Sequence, residues 1–293
     1  MNILYISSNN FIPHVMTSII SLCENNIKNN DLYIYVYCEN LSNEDKKDLR
    51  KIADHYNCKI EYELELQKIS KLKELIIQNH FPEFNGCNYT YAKIFPNILY
   101  PNLDKLLVID ADTLVLNDIK QLYNTNINNY FAAAVPELLA NYVSSEDKSI
   151  INRKNFYYNT GVLLFNIKKM NECHYNEKLI NALKHYNGIL RLADQSLFNL
   201  GLNDTDILPI SFKYNYNNNC NICKNLRNTL HKDYKDVNLL DIKKSNSYYK
   251  DFIILHFVGN LKPWNKYSLV PYSKLYKQYQ QKLINLINIT KSN

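Results

Sequence analysis

The sequence lacks any long apolar segment. No stretch approaches the run of about 18 uninterrupted apolar residues that a membrane-spanning helix requires, and polar residues interrupt every apolar run. The opening residues, Met1–Leu4, supply neither the basic stretch nor the long apolar core of a secretory signal. We therefore expect a cytoplasmic protein with no membrane span and no cleaved signal.

Glycine and proline are also scarce, with 5 and 8 copies in 293 residues. No part of the chain is rich enough in either residue to be a linker, and no internal repeat is visible, which favours a single domain. Disorder is excluded because 46% of the residues are hydrophobic. A chain of this length and composition can bury a substantial core.

The sequence also lacks a large net charge and an even set of cysteines. The 34 Lys and Arg residues exceed the 28 Asp and Glu residues by only 6, without a basic block, so a nucleic-acid partner is not expected. This small excess still suits an anionic small ligand. The odd number of cysteines, 7, predicts reduced thiols, and the Cys220-x-x-Cys223 pair has no second pair to complete a zinc site.

Short apolar runs alternate with helical patterns along most of the chain, which predicts an α/β fold with a parallel central sheet and helices on both faces. Strands are predicted at residues 3–6, 32–38, 59–64, 105–109, 131–135, 161–166 and 252–257. Helices are predicted from Pro13 and at residues 42–56, 69–78, 91–99, 194–202 and 272–288. Residues 211–250 are rich in Asn, Lys and Tyr with poor periodicity, which predicts a long loop or an irregular subdomain.

The strand at residues 105–109 leads directly into two aspartates, Asp110 and Asp112. Ligands of open α/β sheets bind at the carboxyl ends of the strands. Residues two apart on an extended chain face the same side, so both carboxylates point the same way. Two such oxygen donors suit Mg²⁺ or Mn²⁺ bridging a diphosphate. The alternative is a solvated turn or a helix cap, where Asp is equally common.

A second apolar strand ends at His256 and is followed by Gly259 and Lys262. A histidine on an apolar strand is usually a core residue. Here, however, the glycine permits close approach of a ligand to the backbone, and the lysine can meet a phosphate. An imidazole added to two carboxylates as a third ligand favours Mn²⁺ over Mg²⁺.

Four segments of the chain stand in the order and spacing of one known family, namely Asp110–Leu116, Tyr158–Leu164, Ala193–Leu197 and His256–Asn265. Together they resemble glycogenin and the wider family 8 of retaining glycosyltransferases. The resemblance runs from about residue 3 to 266. It implies a GT-A fold over residues 1–266, a single Rossmann-like domain that binds a nucleotide sugar. Residues 267–293 would then be a helical segment that packs on this domain or trails from it.

The resemblance implies how the charged residues bind the donor. Asp110, Asp112 and His256 would hold Mn²⁺, with Mg²⁺ as the alternative, against the two phosphates of UDP. Gly259 and Lys262 would contact the phosphates, and Lys262 would also have a catalytic role by offsetting the charge of the leaving group.

The resemblance also implies residues around the base and the sugar. Asp194 and Gln195 would act in catalysis, either on an oxocarbenium-like ion attacked from the face that UDP leaves or through a short-lived adduct. Phe11 is placed to stack on uracil, with ordinary core packing as the alternative. Lys93 matches a lysine near the nucleotide, and its alternative is an exposed helix charge. The remaining matches at the nucleotide and sugar are Ile6, Ser8, Asn9, Ala111, Glu137, Asn159 and Thr160.

These matches predict a Mn²⁺-dependent enzyme that transfers a hexose, with glucose as the first choice, from a UDP-sugar with retention. As in glycogenin, the acceptor would be its own tyrosine, Tyr216 or Tyr214, and the protein would be a homodimer. The alternative is a bacterial-type glucosyl- or galactosyltransferase with an external glycan or lipid-linked acceptor. A binding protein without turnover ranks lower, because it would have little need of all three metal ligands.

Overall fold

Apolar strands and amphipathic helices form two compact units in the structure, which is a computed structural model. It describes residues 1–26, 31–83, 88–137, 156–187, 189–217, 252–266 and 268–289. The first unit is built from Met1–Tyr62, Ile109–Asn124 and Ser211–Asn293, and the second from Glu63–Val108 and Thr125–Ile210.

The strands and helices are numbered here along the chain. The strands are β1 (Asn2–Ile6), β2 (Tyr33–Tyr37), β3 (Lys59–Glu61), β4 (Lys105–Ile109), β5 (Thr113–Val115), β6 (Ala132–Pro136), β7 (Tyr158–Asn166), β8 (Ile207–Pro209), β9 (Tyr216–Asn217) and β10 (Ile254–His256). The helices are α1 (Ile12–Asn26), α2 (Asn43–Tyr56), α3 (Leu66–Gln78), α4 (Pro96–Leu99), α5 (Lys120–Tyr123), α6 (Ile167–Glu172), α7 (Tyr175–His185), α8 (Asp194–Gly201) and α9 (Ser273–Ile289).

The first unit contains a parallel set of strands in the order β3-β2-β1. In β1 the consecutive residues Ile3, Leu4 and Tyr5 are all buried. Burial of neighbouring residues on both faces is typical of parallel strands and explains why these segments are apolar without alternation. The predicted strand at 59–64 is shorter in the structure, because β3 ends at Glu61.

A second, three-stranded sheet of the first unit has β10 at its centre, antiparallel to β5 and parallel to β9. Its register pairs His256 with Thr113 and with Asn217. The end of β10 therefore lies beside the residue that follows Asp112. The predicted strand at 252–257 is shortened to the three residues of β10.

The helices of the first unit follow the sequence pattern closely. Ser42 and Asp45 form a reciprocal capping box at the start of α2, which satisfies backbone donors that a helix N-terminus leaves unpaired. The C-terminal helix α9 packs on α1, where the Tyr276 hydroxyl lies 2.7 Å from His14 Nδ1. The segment beyond residue 266 therefore belongs to the first unit.

The second unit contains strands in the order β4-β7-β6-β8. Strand β6 is parallel to β8 but antiparallel to β7, so the mostly parallel sheet contains an antiparallel pair that the sequence pattern did not indicate. The register of β6 and β7 is irregular, since the partner of Ala134 is Leu163 and the partner of Val135 is Asn159. Such irregularities bend a strand and redirect side chains.

One predicted helix is interrupted in the second unit. Residues 91–99 were expected to form a continuous helix, but a 3₁₀ helix at Tyr89–Ile94 ends before Pro96, and α4 begins there. The residue before a proline avoids the α conformation, and Phe95 has φ −121° and ψ 43°. Helices α6 and α7 were not predicted from the sequence.

None of the helices in the described ranges has the length and apolar character needed to cross a bilayer. The cytoplasmic location stays a prediction. Among the described cysteines, Cys23, Cys38, Cys58 and Cys173 are free thiols. The Cys220-x-x-Cys223 pair lies outside the described residues, as does most of the weakly patterned stretch at 211–250.

Candidate active site

Asp110 and Asp112 are held by a chain of buried hydroxyl groups. They follow the buried strand β4, and the Thr113 hydroxyl donates to the Asp110 carbonyl oxygen at 2.8 Å. Ser18 Oγ of α1 lies 3.0 Å from Thr113 Oγ1 and 3.1 Å from the Tyr5 hydroxyl. This network links β1 and α1 to the turn that leads from the aspartates to β5, and it holds the backbone of that turn in place.

The carboxylates of Asp110 and Asp112 converge with the imidazole of His256. His256 Nε2 lies 3.2 Å from Asp112 Oδ1 and 3.8 Å from Asp110 Oδ2. Candidate ligand atoms of all three residues lie within 4.8 Å of one another, and no other group of His, Cys, Asp and Glu in the described residues does this. Two carboxylates and one imidazole are a donor set that fits Mn²⁺. Their roles as ligands stay a prediction.

His256 is held in this cluster by main-chain and side-chain contacts. The backbone N–H of Phe257 donates to the Asp112 carbonyl oxygen at 2.9 Å, which ties the end of β10 to the aspartate turn. His256 Nδ1 lies 2.8 Å from Oδ1 of the buried Asn215. Sequence analysis did not single out Asn215, because no local motif marks its partner 41 residues away.

Lys262 brings positive charge to the same cluster. Its Nζ contacts the Asp112 carboxylate and donates to the Phe257 carbonyl oxygen at 2.7 Å. Burial acts to raise the pKa of Asp112, but His256 and Lys262 outweigh it and hold that pKa well below its ordinary value. Gly259 has φ +94°, a conformation that favours glycine, in the loop that returns Lys262 to the cluster.

An aromatic cluster of Phe11, His14 and Trp264 lies in the same unit. The rings of His14 and Trp264 stack with centroids 3.7 Å apart, and Phe11 meets Trp264 edge-on at 5.7 Å. Burial lowers the pKa of His14 to about 4, opposed by Asp112 and reinforced by Lys262. The predicted alternative for Phe11, core packing, does not describe it, because 37% of the residue is exposed. A role in base stacking stays a prediction.

The other predicted nucleotide contacts of the first unit lie around two of its turns. Ile6 ends β1, Ser8 and Asn9 lie in the turn that leads to α1, and Ala111 separates the two aspartates. Ile6 and Ala111 are buried, whereas Asn9 is exposed. Nucleotide contacts at these four residues stay a prediction.

A second polar cluster, in the second unit, surrounds the carboxylate of Asp194 at the start of α8. Thr90 Oγ1 donates to Oδ1 at 2.6 Å, and Thr160 Oγ1 donates to Oδ2 at 2.8 Å. Lys93 Nζ lies 3.3 Å from the same Oδ2, with only 12% of its side chain exposed, so Lys93 is not a plain exposed helix charge. Thr90 was missed by sequence analysis, although its spacing of three from Lys93 is typical of one face of a helical turn.

The remaining predicted sugar contacts adjoin this cluster. Gln195 Oε1 accepts from the Thr160 backbone N–H at 3.2 Å, and Asn159 Nδ2 donates to Glu137 Oε2 at 2.8 Å. Ala193 has φ +43°, which is strained for a residue with a side chain. This strain lies directly before Asp194, where it sets the entry of the chain into α8.

The two candidate self-acceptors are buried in the first unit. Tyr216 is 3% exposed, and its ring stacks on Phe252 at 3.5 Å. Tyr214 is 6% exposed, and its hydroxyl donates to Gln121 Oε1 at 3.1 Å. Both side chains therefore have structural partners. The tyrosines further along, at 234, 248 and 249, lie outside the described residues.

Comparison with known proteins shows the family to which the chain is similar. Residues 2–268 match the model of Glycosyl transferase family 8. The chain is 27% identical to a putative glycosyltransferase of Haemophilus influenzae, over 91% of this chain and 73% of the relative. It is 25% identical to the lipopolysaccharide 1,2-glucosyltransferase of Escherichia coli, over 94% of this chain and 76% of that protein.

Comparison with solved structures gives the fold. The galactosyltransferase LgtC, solved with donor and acceptor sugar analogues, superposes with a TM-score of 0.74 at 17% identity and 96% coverage of both chains. The predicted GT-A fold, with its mostly parallel central sheet, is thereby confirmed. A glycogenin-like subtype has no support from these relatives, and the Haemophilus influenzae and Escherichia coli proteins are bacterial.

Proposed function

Because the chain belongs to glycosyl transferase family 8, a family of nucleotide-sugar-dependent transferases, we propose that it transfers a hexose from a UDP-sugar to an external glycan or lipid-linked acceptor with retention of configuration. The hexose is glucose or galactose. This choice follows the relatives, which include a glucosyltransferase and a galactosyltransferase.

The observation that carries the proposal is the cluster of Asp110, Asp112 and His256 with Lys262 beside it. These three residues would hold Mn²⁺. A divalent cation bound there supplies positive charge against the donor diphosphate. A protein that only had to be stable would gain little from two adjacent half-buried carboxylates, since removing charges from water is costly.

Lys262 would act on the leaving group. Its Nζ contacts a carboxylate oxygen of Asp112 and donates to the backbone carbonyl of Phe257. The lysine charge is therefore held beside the proposed cation site, where the diphosphate of the donor would lie. A fixed cation that meets charge developing on UDP lowers the barrier more than it tightens ground-state binding.

Asp194 and Gln195 would act at the donor sugar. Two hydroxyl groups and a lysine hold the Asp194 carboxylate in one orientation, which suits a group that must contact a substrate with a fixed geometry. Either retaining route stays open for this pair, namely same-face attack on an oxocarbenium-like ion or a short-lived adduct.

An external acceptor is favoured over self-glucosylation. The E. coli relative is named for action on lipopolysaccharide, and the LgtC structure holds an acceptor sugar analogue. In contrast, the hydroxyl of Tyr214 is engaged by Gln121, and the ring of Tyr216 is stacked in the interior. Neither side chain has the exposure that an acceptor needs.

The test is a transfer assay with UDP-glucose and UDP-galactose, each with and without Mn²⁺, on lipopolysaccharide core oligosaccharides. Transfer to an added glycan with an α-linkage, as read by NMR, would support the proposal. Intact-mass steps of one hexose on the protein itself, lost in a Tyr→Phe variant, would move the assignment to self-glucosylation. Nucleotide binding with no hydrolysis and no transfer would indicate a protein that only binds UDP-sugars.

A further inference from the structure

The buried side chain of Asn215 faces the nitrogen of His256 that points away from the carboxylates. Asn215 is 5% exposed and lies between a 3₁₀ turn at Phe212–Tyr214 and strand β9. Its Oδ1 is 2.8 Å from His256 Nδ1, whereas His256 Nε2 faces Asp112. One imidazole therefore joins an amide on one side to the acidic cluster on the other.

This arrangement selects one of the two neutral tautomers of the imidazole. A carboxamide oxygen only accepts hydrogen bonds, so the contact requires a proton on His256 Nδ1. In a neutral imidazole the other nitrogen, Nε2, then carries the lone pair, and this is the nitrogen directed at the carboxylates. A lone pair on Nε2 is what a metal ion needs from this side chain.

We propose that Asn215 is the positioning residue that fixes His256 in its metal-binding tautomer and ring orientation. The inference rests on the proposed function, because it concerns the same cation site. Asn215 touches neither substrate nor reacting atoms and acts through His256. Partners of this kind raise the affinity of a metal site by roughly 10–100-fold.

A set of three variants tests the role. Asn215→Leu removes the acceptor at similar volume, and Asn215→Asp restores an oxygen at the same place. Asn26→Leu is the matched control, because Asn26 is also a buried asparagine of the first unit, with its amide hydrogen-bonded to the backbone of Leu22 and Ile119. The readout is the Mn²⁺ dissociation constant, measured by calorimetry at a fixed UDP concentration, with thermal unfolding in parallel.

The expected result is a Mn²⁺ affinity about 10–100-fold weaker in Asn215→Leu, with affinity near that of the unmodified protein in Asn215→Asp and in Asn26→Leu. An Asn215→Leu protein with unchanged affinity would overturn the inference and leave the proposed function standing. Equal losses in Asn215→Leu and Asn26→Leu would also overturn it, because the effect would then be a general one of losing a buried amide. Failure of the unmodified protein to bind Mn²⁺ with UDP would reject both the metal assignment and this inference.

A second measurement reads the tautomer directly. In the complex with Mg²⁺ and UDP, which avoids the paramagnetic broadening of Mn²⁺, two-bond ¹H–¹⁵N correlations of the His256 ring should show the proton on Nδ1. A proton on Nε2 in that complex would contradict the proposed role of Asn215.

Discussion

The two polar clusters surround their carboxylates with different partners. In the first unit, Asp110 and Asp112 lie together with one imidazole and one lysine, and their carboxylates are 22% and 15% exposed. In the second unit the single carboxylate of Asp194 is 8% exposed and is met by two hydroxyl groups and a lysine. The first arrangement concentrates negative charge and suits a cation, whereas the second neutralises it and fixes one geometry. One cluster is thus suited to binding, and the other to positioning.

The largest effect is expected from Asp112→Asn, which would break the first cluster. Loss of one carboxylate should weaken Mn²⁺ binding by more than the roughly 10–100-fold seen for outer partners, and metal-dependent turnover should disappear. Calorimetry of UDP with and without Mn²⁺ measures this, with circular dichroism as the check that the fold is kept. Unchanged metal dependence of UDP binding in the variant would show that the ligands are assigned wrongly.

The next largest effect is expected from Asp194→Asn, which addresses the second cluster alone. Turnover should fall by about 10²–10⁴-fold, because a positioned carboxylate is lost, while Mn²⁺ affinity stays unchanged. Steady-state kinetics and metal titration on the same preparation separate the two quantities. Asp206→Asn is the control, since Asp206 is a carboxylate of the same unit that pairs with Lys178. A parallel loss of Mn²⁺ affinity in Asp194→Asn would erase the distinction between the clusters.

A smaller effect is expected from Lys262→Ala. The kcat should fall by about 10²-fold, with a lesser change in the KM for the UDP-sugar, because the charge of Lys262 is needed most as UDP departs. Lys262→Arg, which keeps the charge, should retain part of the rate. A normal kcat with only a raised KM would remove Lys262 from the transition state and leave it a simple phosphate contact.

The smallest effect is expected on the pH dependence of stability, through His14 of the aromatic cluster. Burial lowers the pKa of His14 from 6.5 to about 4. The unfolded chain then binds more protons than the folded one between these values, so stability should fall as the pH falls from about 6.5 to about 4. Allowing for the partial exposure of His14, the loss is about 1–2 kcal/mol. Urea unfolding of metal-free protein across this range measures it. His14→Gln should flatten the slope, and equal slopes in both proteins would exclude His14 as the cause.

Local patterns predicted much of the fold. The apolar run Ile3–Ile6, the capping pair Ser42 and Asp45 and the helix over residues 272–288 all appear nearly where they were expected. The antiparallel pairing of β7 with β6 was not predicted, because an apolar run indicates that a strand is buried but not in which direction it runs. The break before Pro96 was underestimated, although proline restricts the residue that precedes it.

The candidate site was predictable in part for the same reason. Asp110 and Asp112 follow an apolar strand, and the rule that strand ends carry ligands predicted a site there. Their convergence with His256 was implied by the family resemblance. Asn215 and Thr90 were missed because their importance lies in partners distant along the chain. The strained backbone of Ala193 could not be anticipated either, since alanine gives no sign of a positive φ.

The order of segments in the first unit has a consequence for biosynthesis. Asp112 and Lys262, which touch in the folded protein, are 150 residues apart along the chain. A ribosome adding about 5–20 residues per second would expose the aspartates many seconds before their partners. During that interval the carboxylates lack both His256 and Lys262, so the nascent chain would not yet have the complete proposed cation site. The proposed competence to bind the donor would therefore be acquired only after Lys262 has been synthesised.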